Sequence, residues 1–250
     1  MKKLLAIVLF IGYSFVSYGQ FTNKVGIDEH LGDTIPMHLT FVNEQNQSIE
    51  IGQLINKPTI LSFVYFDCPG ICSTLQEGIA DLIDRSDLEL GKDYSVITIS
   101  FNYRDNTERA FEKKANFTTK IPKDKAASWN YLTGDSASIN KILRSVGYQI
   151  KITGLDFIHP SAIIMLSPKG KITRYLYGLT FLPFDLKMSI VEARKGISQP
   201  TINKVLEFCY AYEPEGKRYT LEITKLAGVF ILIIILTLFI VLVGIRKKKE

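Results

Sequence analysis

An α/β fold, a sheet with helices on both faces, is what this sequence predicts, on three observations. Two stretches, 59–66 and 94–101, are near-continuous apolar runs rich in β-branched and aromatic residues, the composition of strands covered on both sides. Segments with apolar residues at helical spacing alternate with such strands, the order expected of crossover helices on a sheet. The stretches 161–166 and 172–176, joined by Ser167-Pro168-Lys169-Gly170, close the pattern as a hairpin.

Each element has its own signal. Residues 21–34 are polar and read as a loosely held lead-in. Residues 37–42 alternate like a strand, the polar run 43–47 is their turn, and 48–51 return as the second strand. The core strand 59–66 meets Pro69-Gly70, after which Leu75, Ile79, Leu82 and Ile83 repeat at helical spacing. That helix starts near Pro69, a residue suited to a first helical position, and runs to about Arg85. After strand 94–101, Asn106 or Thr107 with Glu108 opens a helix to about Asn116. Residues 129–132 make a short strand, and Asp135 or Ser136 caps a helix reaching Val146. Thr153-Gly154 marks a loop before the hairpin, and a last helix lies within 184–196. No internal repeat or low-complexity tract interrupts this order.

The 250 residues, 46% hydrophobic, hold one sizeable domain plus accessory segments. The formal charge of +5 comes from the two ends, Lys2-Lys3 and the tail 246–250, so residues 4–245 balance to zero. A neutral body gives no reason to expect a nucleic-acid partner. Met1-Lys2-Lys3, the apolar run 4–16 and the small residues Ser17 and Gly19 read as a secretory signal peptide over 1–19. The run is short for a retained anchor, so cleavage after Gly19 is expected. Residues 226–245 are 20 in a row without a charge, enough at about 1.5 Å per residue to cross a bilayer as a helix. Arg246 and Lys247 to Lys249 follow at once, placing the tail 246–250 in the cytoplasm and everything before 226 outside. The two ends agree on a single-pass protein of the cytoplasmic (inner) membrane. Its soluble domain, 20–215, stands on the periplasmic side.

In that compartment disulfides persist, but three cysteines are too few for a disulfide framework. Cys68 and Cys72, four residues apart at the strand-to-helix corner, read as a reactive or metal-binding pair. With the helix starting near Pro69, Cys68 lies at its mouth and Cys72 one turn in. Both sulfurs then face one point near backbone N–H groups and the positive end of the helix dipole, a setting that favours thiolate. His159, before Pro160 and strand 161–166, is the third element of the candidate site. Two thiolates and an imidazole suit a soft ion such as Cu(I), whereas structural zinc normally takes four ligands and no fourth is evident. By spacing alone other readings stand beside this one. A Cys pair four apart is also a disulfide or a feature of core packing, and His30 and His38 read as structural or surface residues. Cys209, in the aromatic-rich segment 206–214, reads as a thiol buried beneath the domain rather than a ligand. Tyr210 and Tyr212 of that segment also suit a membrane-interface belt.

With these residues in view, the chain resembles the Sco/SenC family, membrane-tethered thioredoxin-like copper proteins that assist assembly of cytochrome c oxidase. The resemblance covers roughly residues 30–200. It rests on Cys68-Pro69-Gly70-Ile71-Cys72 after an apolar strand, and on Tyr131-Leu132-Thr133-Gly134 before a helix ending in Val146-Gly147. His159, followed by an apolar strand and the Pro168-Lys169-Gly170 turn, completes it. It implies a thioredoxin-like fold, to which the apolar run adds a C-terminal transmembrane helix. It implies that Cys68, Cys72 and His159 bind copper, that the cysteines cycle between dithiol and disulfide, and that the copper-binding subunit of the oxidase is the partner. The chain departs from the family pattern in three places. Ile158 stands where an Asp usually precedes the His, leaving Asp156 or Asp67 to supply a carboxylate behind the imidazole. Pro160 replaces a Ser or Thr and is placed for a cis bond. The anchor is C-terminal rather than N-terminal.

Three functions follow: a copper metallochaperone that turns over no small molecule, a membrane-tethered thiol-disulfide oxidoreductase acting on cysteines of the oxidase copper subunit, and a binding domain with a structural disulfide. The three-residue spacer departs from the Cys-x-x-Cys of thioredoxin-type enzymes, and a redox-only protein has no need of His159. Both facts rank the chaperone first.

Overall fold

Strand residues buried on both faces set the centre of the molecule. In the computed structural model, which describes residues 25–68, 70–154, 156–199, the backbone of 210–213 and 218–221, and Thr237, three strands are buried at every position. They are Thr59–Val64 (β4), Ser95–Ser100 (β5) and Ala162–Leu166 (β10). The earlier strands are Gly26–Ile27 (β1), Thr40–Asn43 (β2) and Ser48–Glu50 (β3); the later ones are Trp129–Thr133 (β6), Tyr148–Gln149 (β7), Lys151–Thr153 (β8), Asp156–Ile158 (β9) and Ile172–Tyr177 (β11). A seven-stranded sheet runs β11-β10-β4-β5-β6-β2-β3. β4, β5 and β6 are parallel; β10 and β11 add antiparallel on one side, and the β2–β3 hairpin on the other. Polar side chains inside this sheet pair with one another: Thr59 with Ser95 at 2.9 Å, Ser62 with Thr98 at 2.8 Å, and Trp129 Nε1 donating to Thr98 at 2.9 Å. Each pair satisfies buried groups and fixes the strand register.

The helices are Ile51–Leu54 (α1), Ile71–Arg85 (α2), Thr107–Phe117 (α3), Lys123–Ala126 (α4), Ser136–Ser145 (α5) and Pro183–Lys195 (α6). Their starts follow the capping residues read in the sequence. The Asn106 side chain accepts from Arg109 N at 3.0 Å, and Asp135 from Ser138 N at 2.8 Å. α6 begins on Pro183 and ends at Gly196, whose φ of 64° is the left-handed value glycine adopts freely. Arg174 on β11 grips Glu192 on α6 through two bonds of 2.8 and 2.7 Å, tying that helix to the sheet.

Four expectations are corrected. The lead-in is held: β1 pairs with β7, Asp28 N donates to Gly147 O at 2.9 Å, and Thr34 bridges Lys171. α2 starts at Ile71, two residues later than expected, because a turn from Tyr65 to Cys68 (Cys68 N to Tyr65 O, 3.3 Å) delays entry into helical geometry. The expected loop at Thr153-Gly154 is the turn of a β8–β9 hairpin, reversed at Gly154 with φ 65°. No described peptide bond is cis, so the His159–Pro160 bond keeps the trans form that X-Pro bonds ordinarily prefer. α1 and α4, single turns, had no sequence signal.

In the C-terminal part, Tyr210–Glu213 (β12) and Arg218–Leu221 (β13) form an antiparallel hairpin. The expected signal peptide 1–19, Cys209, the apolar run 226–245 apart from Thr237, and the tail 246–250 lie outside the described residues. Among the described residues no helix is long and apolar enough to cross a membrane.

Candidate metal centre

The corner between β4 and α2 is shaped by hydrogen bonds that free the cysteines to point inward. β4 ends at Val64, whose carbonyl accepts from Phe101 N at 2.8 Å. The next turn is clamped by Asp105, 7% exposed, whose carboxylate accepts from Phe66 N at 2.7 Å, Ser100 Oγ at 2.6 Å and Asn102 Nδ2 at 3.1 Å. A buried carboxylate with three donors is satisfied, and it holds the turn from both neighbouring segments. Gly70 is the N-cap of α2 and has no side chain to take the free N–H groups of the first turn. The Cys68 sulfur takes that part, accepting from Cys72 N at 3.4 Å.

Cys72 is the second residue of α2, so it sits in the first turn rather than a full turn in. His159 arrives from the end of β9. The two sulfurs and one imidazole nitrogen lie within 4.8 Å of one another, the only such group of three among the described residues. Cys72 Sγ is 3.1 Å from His159 Nε2. Both cysteines are free thiols, and exposure falls from 8% at Cys68 to 1% at Cys72, with His159 at 8%. Bonds of about 2.0–2.3 Å to N and S separate the ligands of a trigonal ion by roughly 3.5–4 Å. Small side-chain shifts therefore suffice to bring all three onto one ion. Around them stands an aromatic wall: Phe101 lies 5.1 Å from the His159 ring, and Phe157 lies 5.1 Å from Tyr65 and 5.2 Å from Phe101. This wall limits water at the ligands.

The two thiols are differentiated by surroundings. The hydrogen bond from Cys72, with the backbone N–H groups of Cys72 and Gly70 and the Tyr65 phenol, draws the Cys68 pKa well below an ordinary thiol's, against the opposing effect of burial. Burial pushes Cys72 strongly upward, and the neighbouring Cys68 sulfur adds to this. The resting pair is thus a thiolate at the mouth and a protonated thiol behind it, facing the histidine. Burial likewise raises Tyr65, with the Cys68 sulfur as the next cause, so its phenol stays a donor. A soft cation arriving at Cys68 meets a ligand already ionised, and it displaces one proton from Cys72. The same pair can instead close to a disulfide, which removes both thiolate ligands.

Cys68, Cys72 and His159 are therefore brought together as the sequence predicts, and His30 and His38 stay apart from them. His30 Nδ1 bonds to Ser145 O at 3.1 Å, and His38 is on the surface. The carboxylates expected behind the imidazole are engaged elsewhere: Asp67 pairs with Arg109, and Asp156 lies 3.5 Å from the Tyr65 hydroxyl. The Pro160 carbonyl, 2.9 Å from His159 Nδ1, and the Tyr148 hydroxyl, at 3.3 Å, occupy that place. Tyr65, Phe101, Asp105, Tyr148 and Phe157 were missed in the sequence. All but the acid Asp105 are ordinary core residues by type, and they reach the site from four separate segments, Phe101 and Asp105 sharing the connection between β5 and α3.

A model of the SCO1/SenC family matches residues 28–184. The SCO1 protein homolog of Bacillus subtilis is 23% identical over 159 residues, covering 62% of this chain and 79% of that protein. Two solved structures share the fold. Arabidopsis thaliana ScoI with copper bound has 22% identity and a TM-score of 0.52, covering 66% of this chain and 98% of its own. BsSco, described with a disulfide switch as a member of the Sco family of cytochrome c oxidase assembly proteins, has 21% identity and a TM-score of 0.52, covering 68% and 96%.

Proposed function

Since the chain belongs to the SCO1/SenC family, we propose that it is a membrane-anchored copper metallochaperone that serves assembly of the copper centre of cytochrome c oxidase. The observation that carries this reading is the convergence of Cys68, Cys72 and His159 within 4.8 Å, on a donor set suited to Cu(I). The relatives add support, since Arabidopsis ScoI holds copper and BsSco belongs to a group of oxidase assembly proteins. Copper is here cargo: it is accepted by the reduced site and passed to the copper-binding subunit of the oxidase. The anchor is the run 226–245, with the domain on the outer side of the cytoplasmic membrane and the tail 246–250 inside.

Thiol-disulfide exchange with the same subunit is the second reading, favoured by the asymmetry of the two thiols. A thiolate nearer the surface backed by a more deeply buried thiol is the order needed for attack and resolution. Copper titration of the full-length protein separates the two. The reduced protein is expected to bind one Cu(I), and the oxidised protein none. His159→Ala is expected to weaken copper binding strongly while Cys68 and Cys72 still form a disulfide; Cys72→Ser abolishes both. In cells, a His159→Ala strain that lacks copper-dependent oxidase activity supports the chaperone. An oxidase-competent His159→Ala strain whose protein binds no copper transfers the assignment to the redox reading.

A further inference from the structure

We infer that Tyr148 is the positioning residue of this centre: its hydroxyl, with the Pro160 carbonyl, holds the His159 ring with a proton on Nδ1 and a bare Nε2 beside Cys72. The inference deepens the proposed copper site and rests on it for its functional meaning, though not for its geometry.

Tyr148 is 3% exposed, and its hydroxyl makes a short hydrogen bond to Pro160 O. A phenol is protonated at neutral pH, and the carbonyl oxygen can only accept, so the tyrosine is the donor in that bond. The same carbonyl oxygen lies 2.9 Å from His159 Nδ1. A carbonyl oxygen has two lone pairs and can accept from both groups. If Nδ1 carried no proton, its lone pair would face the carbonyl lone pairs at 2.9 Å with nothing between them. The contact is attractive only with a proton on Nδ1. Nε2 is then the unprotonated nitrogen, and it is the one 3.1 Å from Cys72 Sγ. The tautomer a metal needs is thereby set before any metal arrives. Neither nearby carboxylate can set it, since Asp67 pairs with Arg109 and Asp156 reaches only toward Tyr65.

Tyr148 is in turn held from two sides. Its ring lies 5.0 Å from Phe63 on β4, the strand that leads to Cys68. Its backbone is in β7, paired with β1 as Ile27↔Tyr148. The N-terminal segment thus braces the residue that orients the histidine.

The test is Tyr148→Phe in the full-length protein, reduced and free of metal, with 15N-labelled histidine. The chain has three histidines, so long-range 1H–15N spectra give three ring patterns, and the pattern altered in His159→Ala assigns one of them. The wild-type His159 ring is expected to show a protonated Nδ1 and a bare Nε2. In Tyr148→Phe the Pro160 carbonyl loses the bond that holds it against Nδ1, so both ring nitrogens should shift toward tautomer-averaged values. Cu(I) should bind about tenfold more weakly, the usual size of an outer-shell loss. Disulfide formation between Cys68 and Cys72 should stay as in wild type, and the thermal midpoint should fall only by the loss of one hydrogen bond. Tyr148→Leu, which also loses the packing on Phe63, should lower the midpoint further while giving the same ring pattern as Phe. A folded Tyr148→Phe protein with wild-type ring shifts and wild-type copper affinity overturns the inference. If wild type binds no copper at all, the copper reading falls, and the metal-free ring spectra still decide the role of Tyr148.

Discussion

Two cysteines four residues apart have opposite chemistry here, and the difference comes from a few neighbouring atoms. Cys68 is surrounded by donors: the Cys72 thiol, the backbone N–H groups of Cys72 and of the N-cap Gly70, and the Tyr65 phenol. Cys72 is buried at 1% residue exposure, with its sulfur against the His159 ring. A depressed thiol pKa means that thiolate persists as pH falls, until the lowered value is reached. An ordinary thiol, with a pKa of about 8.5, would lose reactivity roughly tenfold per pH unit below that point. Alkylation by iodoacetamide of the metal-free reduced protein should therefore modify Cys68 at about pH 6 nearly as fast as at pH 8. Cys72 should remain unmodified until the protein unfolds, and peptide mapping by mass spectrometry distinguishes the two. A tenfold loss of Cys68 labelling per unit over that range would show an ordinary thiol and remove the basis of the asymmetry. The candidate ligands were legible in the sequence because cysteine and histidine announce their chemistry. Their supports were not. Nothing in the type or spacing of Asp105, Tyr148 or Phe157 distinguishes a residue that shapes a site from one that fills a core.

Among the elements, legibility followed length and burial. β4 and β5 show in the sequence as apolar runs because both faces are covered, and Asn106 and Asp135 marked helix starts by the side-chain chemistry of capping. Two-residue strands have no period to read, so β1 and β7 were invisible and the lead-in was expected to be loose. The feature that makes their pairing possible is Gly147, with φ 63° and its α-carbon packed against the Asp28 backbone. Any Cβ there would collide with the Asp28 carbonyl, and the left-handed conformation is itself unfavourable for other residues. Gly147→Ala should cost about 1–3 kcal/mol of stability, seen as a lower urea midpoint with an unchanged slope. Because β7 carries Tyr148, it should also speed exchange of the β1 amides and weaken Cu(I) binding. Lost stability with wild-type copper affinity would mean that the N-terminal strand braces the sheet but not the site.

At the scale of the whole molecule, the proposed copper site fits the outer side of the proposed membrane anchor. A thiolate and thiol that close to a disulfide when oxidised need an environment where both states are reachable, and exported domains meet that condition. The charge pattern argues the same way. Residues 4–245 are neutral overall, and the only dense basic cluster is Arg246 with Lys247 to Lys249, immediately after 20 uncharged residues. In the proposed topology the basic cluster that follows the apolar run is held in the cytoplasm and the preceding domain lies outside. Alkaline phosphatase folds to its active form only outside the cytoplasm, so fusions to this chain report its orientation. Joined after residue 199, before the apolar run, it should be active. Joined after residue 250 it should be inactive. Protease added to intact spheroplasts should then remove the domain and spare an epitope at the C-terminus. Replacing Arg246 and Lys247 to Lys249 with neutral residues should weaken the preference, so that some activity appears in the residue-250 fusion. An inactive residue-199 fusion, or a domain fully protected from protease, would place Cys68 and Cys72 in a reducing compartment. The copper-delivery reading would then lose its client along with its redox partner chemistry.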